Sequence, residues 1–123
     1  MAKTFTDYLD LIKKAKKAGD FDKAWKLANE GTTKLKNRFE STMMYYQISR
    51  ILRKEKRYAY SLSLFGVVVA YLKGFGGESH RKHAEFLLRK VGKEGQIKSY
   101  LSLCRGNFKD IVFNIENWIK ESS

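Results

Sequence analysis

The sequence predicts an all-α fold, and three observations carry that expectation. The 123 residues contain no proline, the residue that most often breaks a helix. Apolar side chains recur at spacings of three and four through most of the chain, which is the period of a helix with one buried face. Glycines stand where those stretches stop, as helix ends favour. About seven helices follow, arranged as antiparallel hairpins in a single domain over 1–123, either as a stack or as a compact bundle.

The first helix carries Phe5, Tyr8, Leu9 and Ile12 on one face. Thr4 is placed to cap it, with Asp7 three residues on to complete a capping box, and Gly19 ends it. Asp20 then caps a second helix with Phe21, Ala24, Trp25, Ala28 and Leu35 along one side. So short a connection forces the two antiparallel, as a hairpin over about 4–36.

A second hairpin, about 39–73, begins near Phe39 or Ser41. Its first helix has Met43, Met44, Ile48, Ile51 and Leu52 as an apolar stripe, and the charged run Arg53-Lys54-Glu55-Lys56-Arg57 marks the turn. Residues 58–72 are nearly all apolar, and Val67-Val68-Val69 reads equally as a buried strand. Length decides for a central helix, together with Gly74 as a cap and no partner strand elsewhere.

Gly74-Phe75-Gly76-Gly77 opens a flexible loop over 74–78, and C-terminal helices fill about 79–121. Ser79 is placed to cap a helix with Ala84, Phe86, Leu87, Leu88 and Val91, which stops at Gly92 to Gly95. The last pair holds Ile97, Tyr100, Leu101 and Cys104, then Phe108, Ile111, Val112, Ile115, Trp118 and Ile119. Asn107 and Asp110 are spaced as a capping box between them.

The turn Gly19-Asp20-Phe21-Asp22-Lys23-Ala24 resembles the centre of a tetratricopeptide repeat, where glycine ends the first helix and a small residue lets the pair approach. Tyr8, Leu11, Ala15 and Ala28 fall at the family's packing positions. Ile12 departs where the family prefers a small residue, Gly31 departs too, and the terminal proline is missing, with Lys36 near its place. Tyr58 stands 37 positions after Phe21, which places Ser61 and Phe65 at the next repeat's small and aromatic positions. Gly106-Asn107-Phe108 repeats the turn after a longer interval of 50 residues. The likeness covers roughly residues 5 to 73 and implies a right-handed stack of helical hairpins that binds a protein or peptide. A non-repetitive bundle with similar turns is the alternative, since capping alone favours a Gly-Asp-aromatic turn.

Lysine and arginine total 25 against 13 aspartate and glutamate, a net charge of +12. Much of the basic charge sits at helix ends, as in Lys13, Lys14, Lys16 and Lys17 or Arg89, Lys90 and Lys93, where it offsets the helix dipole. Dipole compensation does not require a surplus of twelve, so an anionic partner is expected. Arg50, Arg53, Lys54 and Arg57 share one helical face and suit phosphates, with Tyr58 and Tyr60 available for base stacking. If the hairpins stack, Lys13 to Lys17, Arg53 to Arg57 and Arg105 to Lys109 align as one basic rim.

No arrangement of residues announces a reaction, a cofactor or a metal. His80 and His83 stand three apart beside Glu78, but Arg81 and Lys82 oppose a cation and no third ligand is spaced to help, so both read as solvated surface histidines. The glycine loop before Ser79 resembles an anion-binding helix start, yet the Walker lysine is missing and a mobile connector is the better reading. Cys104, the single cysteine, reads as a small buried apolar residue in a reducing, cytoplasmic setting. No apolar run reaches the length of a membrane span. The carboxylates lie mainly in first turns, as caps.

The expected function is a non-enzymatic interaction module for an acidic protein or peptide. On the tetratricopeptide resemblance its groove would be lined by Tyr8, Tyr45 and Tyr46, with Lys13 and Arg50 nearest to clamp positions and no match for the clamp's asparagine. The alternative is a nucleic-acid-binding or ribonucleoprotein subunit using Arg50, Arg53, Lys54 and Arg57. The amphipathic final helix, 108–120, would cover the end of the stack or pair with a second copy of the chain.

Overall fold

The computed structural model describes residues 3–34 and 37–121 and contains seven helices and no strand among them. They are α1 (Phe5–Lys17), α2 (Phe21–Thr32), α3 (Arg38–Lys54), α4 (Tyr58–Leu72), α5 (Glu78–Lys90), α6 (Ile97–Leu103) and α7 (Phe108–Lys120). Residues 58–72 are thus helical, as their length argued. Leu35 and Lys36, assigned above to the second helix and to a repeat position, lie outside the described residues.

Side-chain caps account for most of the helix starts. Thr4 Oγ1 accepts from the Asp7 amide at 3.2 Å while Asp7 Oδ2 accepts from the Thr4 amide at 2.9 Å, a complete capping box. Asp20 caps α2 through the Lys23 amide at 3.1 Å, and Asn107 caps α7 through Asp110 at 2.9 Å. Asn37 accepts from the Glu40 amide at 2.9 Å, so α3 begins at Arg38, ahead of the expected Phe39 or Ser41.

Two expected caps differ. Lys73, not Gly74, takes the left-handed conformation that ends α4 (φ 57°), and the Gly74 amide then bonds back to the Val69 carbonyl at 3.0 Å. Ser79 lies inside α5, whose N-cap is Gly77, so the start of α5 has no side-chain cap. The Gly74–Gly77 stretch is also tied at two points. The Phe75 ring stacks on Phe65 with centroids 6.3 Å apart, and the Gly76 amide donates to His80 Nδ1 at 3.0 Å.

α4 is the central element, packed against α3, α5, α6 and α7. Its sequence demands this, because a helix apolar on all sides must be covered on all sides. Leu62, Phe65, Val67, Val68 and Val69 are buried accordingly. Gly66 lets α7 come closest: a Cβ there would collide with Ile115 Cδ1 and lie 3.1 Å from Ile111 Cγ2. α7 therefore spends its Ile111–Ile115 face on α4 and leaves Phe113 exposed on the other side.

The buried side chains form two cores. One joins α1, α2 and the inner face of α3 through Tyr8, Ile12, Ala24, Ala28, Met44, Ile48 and Ile51. The other surrounds α4 and draws on Ala84, Leu87 and Leu88 of α5, Tyr100 of α6, and α7. α3 packs on α1, α2 and α4, so it lies between the two.

Candidate functional site

The last turns of α1 and α3 meet at the surface because the two helices pack together. On α3, spacings of three and four place Arg50, Arg53 and Lys54 side by side. Lys16 of α1 faces them, and these four cations alone line a cleft of about 110 Å³. Among the described residues none of the four makes an ion pair; Arg57 pairs with Glu55 at 3.4 Å, and Arg81 with Glu85 at 3.1 Å.

The electrostatic consequence is largest at Lys16. Burial, then the charges of Arg50, Lys54 and Lys13, lower its pKa to about 8. Its ammonium donates to Gln47 Oε1, a neutral acceptor at 3.4 Å. Burial and then Arg50 lower Arg53 as well, though both tyrosines nearby, Tyr46 and Tyr58, act the other way.

Arg53 is fixed from behind by α5. Its guanidinium carbon stands 3.8 Å from the centre of the Phe86 ring, and its Nη1 lies 3.2 Å from His83 Nδ1. A guanidinium only donates, so Nδ1 accepts and the ring proton sits on Nε2. Nε2 donates to Ser49 Oγ at 2.9 Å, the Ser49 hydroxyl donates to the Ser61 carbonyl at 2.9 Å, and the Ser61 hydroxyl donates to the Ser49 carbonyl at 2.6 Å. Every buried side-chain polar atom described is satisfied.

His83 is only 2% exposed, and burial followed by the charges of Arg53, Arg50, His80 and Lys16 pushes its pKa to about 3. It is a neutral core residue, not a solvated surface histidine. His80 is half-buried beside Tyr46, with ring centroids 4.4 Å apart, and burial lowers its pKa too. The signal for His83 was legible in its register, because it precedes Leu87 by four and so shares the buried face of α5.

The basic surface continues onto α5. Arg89 and Lys90 lie 5.6 and 5.5 Å from the Phe86 ring centre, and Lys90 lies 5.7 Å from that of Tyr58. The third member of the expected rim is therefore the last turn of α5, not Arg105 to Lys109. Arg105 shares a cleft of about 470 Å³ with Arg38 and Lys73. Arg38 opens α3 and Lys54 closes it, so roughly 24 Å of helix separates the two basic regions.

The remaining expected residues scatter. Lys13 adds charge near Lys16 without lining the cleft, and Arg57 is engaged with Glu55. Tyr8 is buried and its hydroxyl donates to Glu30 at 2.8 Å. Tyr46 is buried against Phe65 and His83, while Tyr45 packs between Tyr71 and Phe108. These three rings serve the cores and do not line a shared groove. A wider cleft, about 620 Å³ between α5 and α6, is bordered by Arg81, Arg89 and Lys98 but also by Glu85 and Glu94, so carboxylates offset most of its positive charge. Cys104 is buried, its thiol donates to the Tyr100 carbonyl at 3.2 Å, and burial pushes its pKa up to about 12. Among the described residues no three His, Cys, Asp or Glu side chains converge to hold a metal ion, and no helix is long and apolar enough to cross a membrane.

Compared with known proteins, the chain matches no family model, no curated protein and no solved structure.

Proposed function

We propose that the chain is a non-enzymatic binding module that holds a nucleic acid by its phosphates along the last turns of α1, α3 and α5. One observation carries this reading: Lys16, Arg50, Arg53 and Lys54 converge on a cleft with no carboxylate beside them. Unpaired cations held together against their own repulsion are stabilised by an anion, and a phosphate backbone supplies anions at regular spacing. Arg89 and Lys90 extend the basic surface onto α5, beside the Phe86 ring that backs Arg53. A tetratricopeptide-like stack fits this reading, since α1 and α3 are the first helices of successive hairpins and present their ends on one side.

An acidic protein partner, favoured by the sequence alone, has less in its support. Its recognition was to rest on the rings of Tyr8, Tyr45 and Tyr46, and those rings are engaged inside the molecule. The deciding experiment titrates a fluorescent single-stranded oligonucleotide at several salt concentrations, beside an acidic peptide of equal charge. The oligonucleotide binds with steep salt dependence, and replacing Arg50, Arg53 and Lys54 together by glutamate abolishes binding. Replacement by glutamine lowers the log–log slope by about 2. Tight peptide binding with no oligonucleotide binding would sink the reading.

A further inference from the structure

Resting on the nucleic-acid reading, we infer that the four-cation cleft is the seat of a terminal phosphate monoester, the end of a strand, while Arg89 and Lys90 meet the internal phosphodiesters.

Size argues first. At about 110 Å³ the cleft has room for roughly four water-sized groups, enough for one tetrahedral phosphate and well short of an ordinary ligand pocket. It has no aromatic wall of its own, because the nearest ring, Phe86, lies under Arg53. The group seated in it is thus small and anionic.

Donor arithmetic argues second. Two guanidinium forks each match a pair of oxygens, and two ammonium groups add further donors. A phosphodiester offers two unbridged oxygens and one negative charge, so it leaves most of these donors unanswered. A monoester offers three such oxygens and close to two charges above pH ~6. Four converging cations are thus matched to the monoester.

The cleft is also built in advance, which separates it from a chance cluster of surface lysines. Arg53 is held by the His83 hydrogen bond and by the Phe86 ring face, and Lys16 is turned inward onto Gln47, itself 5% exposed. Little side-chain ordering is left for the ligand to impose on these two residues.

A pH signature follows. Lys16, faced by Lys13 on its own helix, by Arg50, Arg53 and Lys54 on α3 and by neutral His83 on α5, loses its proton above about 8. The monoester loses its second charge below about 6. Preference for the phosphorylated end is therefore greatest between those limits, and binding raises the pKa of Lys16.

The test compares one oligonucleotide sequence carrying a 5′-phosphate, a 3′-phosphate or hydroxyls at both ends, against the full chain at pH 5, 7 and 9. The expected result is about tenfold tighter binding of a phosphorylated end at pH 7, with the gain shrinking at both other pH values. Lys16→Met and Arg53→Lys, each checked for an unchanged helical circular-dichroism spectrum, bring the ratio of phosphorylated-end to hydroxyl-end affinity close to one, while hydroxyl-ended binding itself weakens less than the phosphorylated end does. Arg105→Gln, which removes the same charge as Lys16→Met but near the far end of α3, keeps the gain. Equal affinity for all three oligonucleotides would overturn the terminal seat while leaving the backbone reading intact. Failure of every oligonucleotide overturns both, and a phosphopeptide bound in their place points the same cleft to a protein ligand instead.

Discussion

Arg53 donates to His83 Nδ1 across 3.2 Å, and through that bond a surface cation fixes the tautomer of a buried ring. The same ring then anchors α5 to the Ser49–Ser61 pair that joins α3 to α4. The contact is thus both the support of the candidate site and a tie among three helices.

Acid sensitivity should follow from His83. Its pKa is about 3 in the folded chain against an ordinary value near 6.5, so above 6.5 neither state binds a proton there and its neutral form costs nothing. Below 6.5 the unfolded chain takes a proton that the folded chain refuses, and stability falls by up to about 1.4 kcal/mol per pH unit towards pH 3. His83→Phe costs about 1–3 kcal/mol at pH 7, because Arg53 and Ser49 each lose a partner. In urea melts at pH 4.5 and 7, the gap between wild type and variant narrows at the lower pH; a constant gap would contradict a neutral buried ring.

Lys16 predicts a slope of the same sign at high pH. Its folded pKa of about 8 lies below the unfolded value of 10.5, so between those values the unfolded chain holds a proton that the folded chain has released. Stability contributed by this residue rises through that window, and below pH 8 its charge is a cost. Lys16→Met stabilises the chain at pH 7 by a few tenths to about 1 kcal/mol, a range discounted for solvent screening of a half-exposed group. Thermal melts at pH 7 and 10 check this, and a variant destabilised at pH 7 would refute it.

Gly66→Ala tests the α4–α7 contact. The added methyl runs into Ile115 and crowds Ile111, which outweighs the roughly 1 kcal/mol gained in helix propensity. A net loss of about 1–3 kcal/mol is expected. Combining it with Ile115→Ala should recover part of that loss, and simple additivity in denaturant melts would show that the two sites do not touch.

Cys104 should resist thiol reagents. Its thiol is buried, bonded to the Tyr100 carbonyl and pushed up to about 12, so almost no thiolate exists at neutral pH. Labelling with a maleimide should proceed only as the chain unfolds in urea. Fast labelling of the folded protein would place the side chain in solvent.

The helices were legible because their causes are local. Thr4, Asp20 and Asn107 act on amides three residues away, and the apolar period marks each buried face without reference to the rest of the molecule. The cleft was legible only by half. Arg50, Arg53 and Lys54 share a face by spacing alone, but Lys16 joins them through the packing of α1 on α3, a contact between residues some 34 to 38 positions apart. The tyrosines were misread for the same reason: Tyr46 has the spacing of a groove residue, and only α4 and α5 folding over it make it core. The rim failed at its third member because the helix around Phe86, α5, comes between the second and last hairpins, and Arg105 ends beside the start of α3.

The cleft draws Lys16 from the helix that helps build one core and has Arg53 braced by a helix that helps build the other. An anion seated there would be a strap between two halves of the molecule, pulling inward where four like charges now push apart. Occupancy would therefore register as stiffness: slower amide exchange in α1 and α5 together, extending along both helices beyond the turns that the ligand touches.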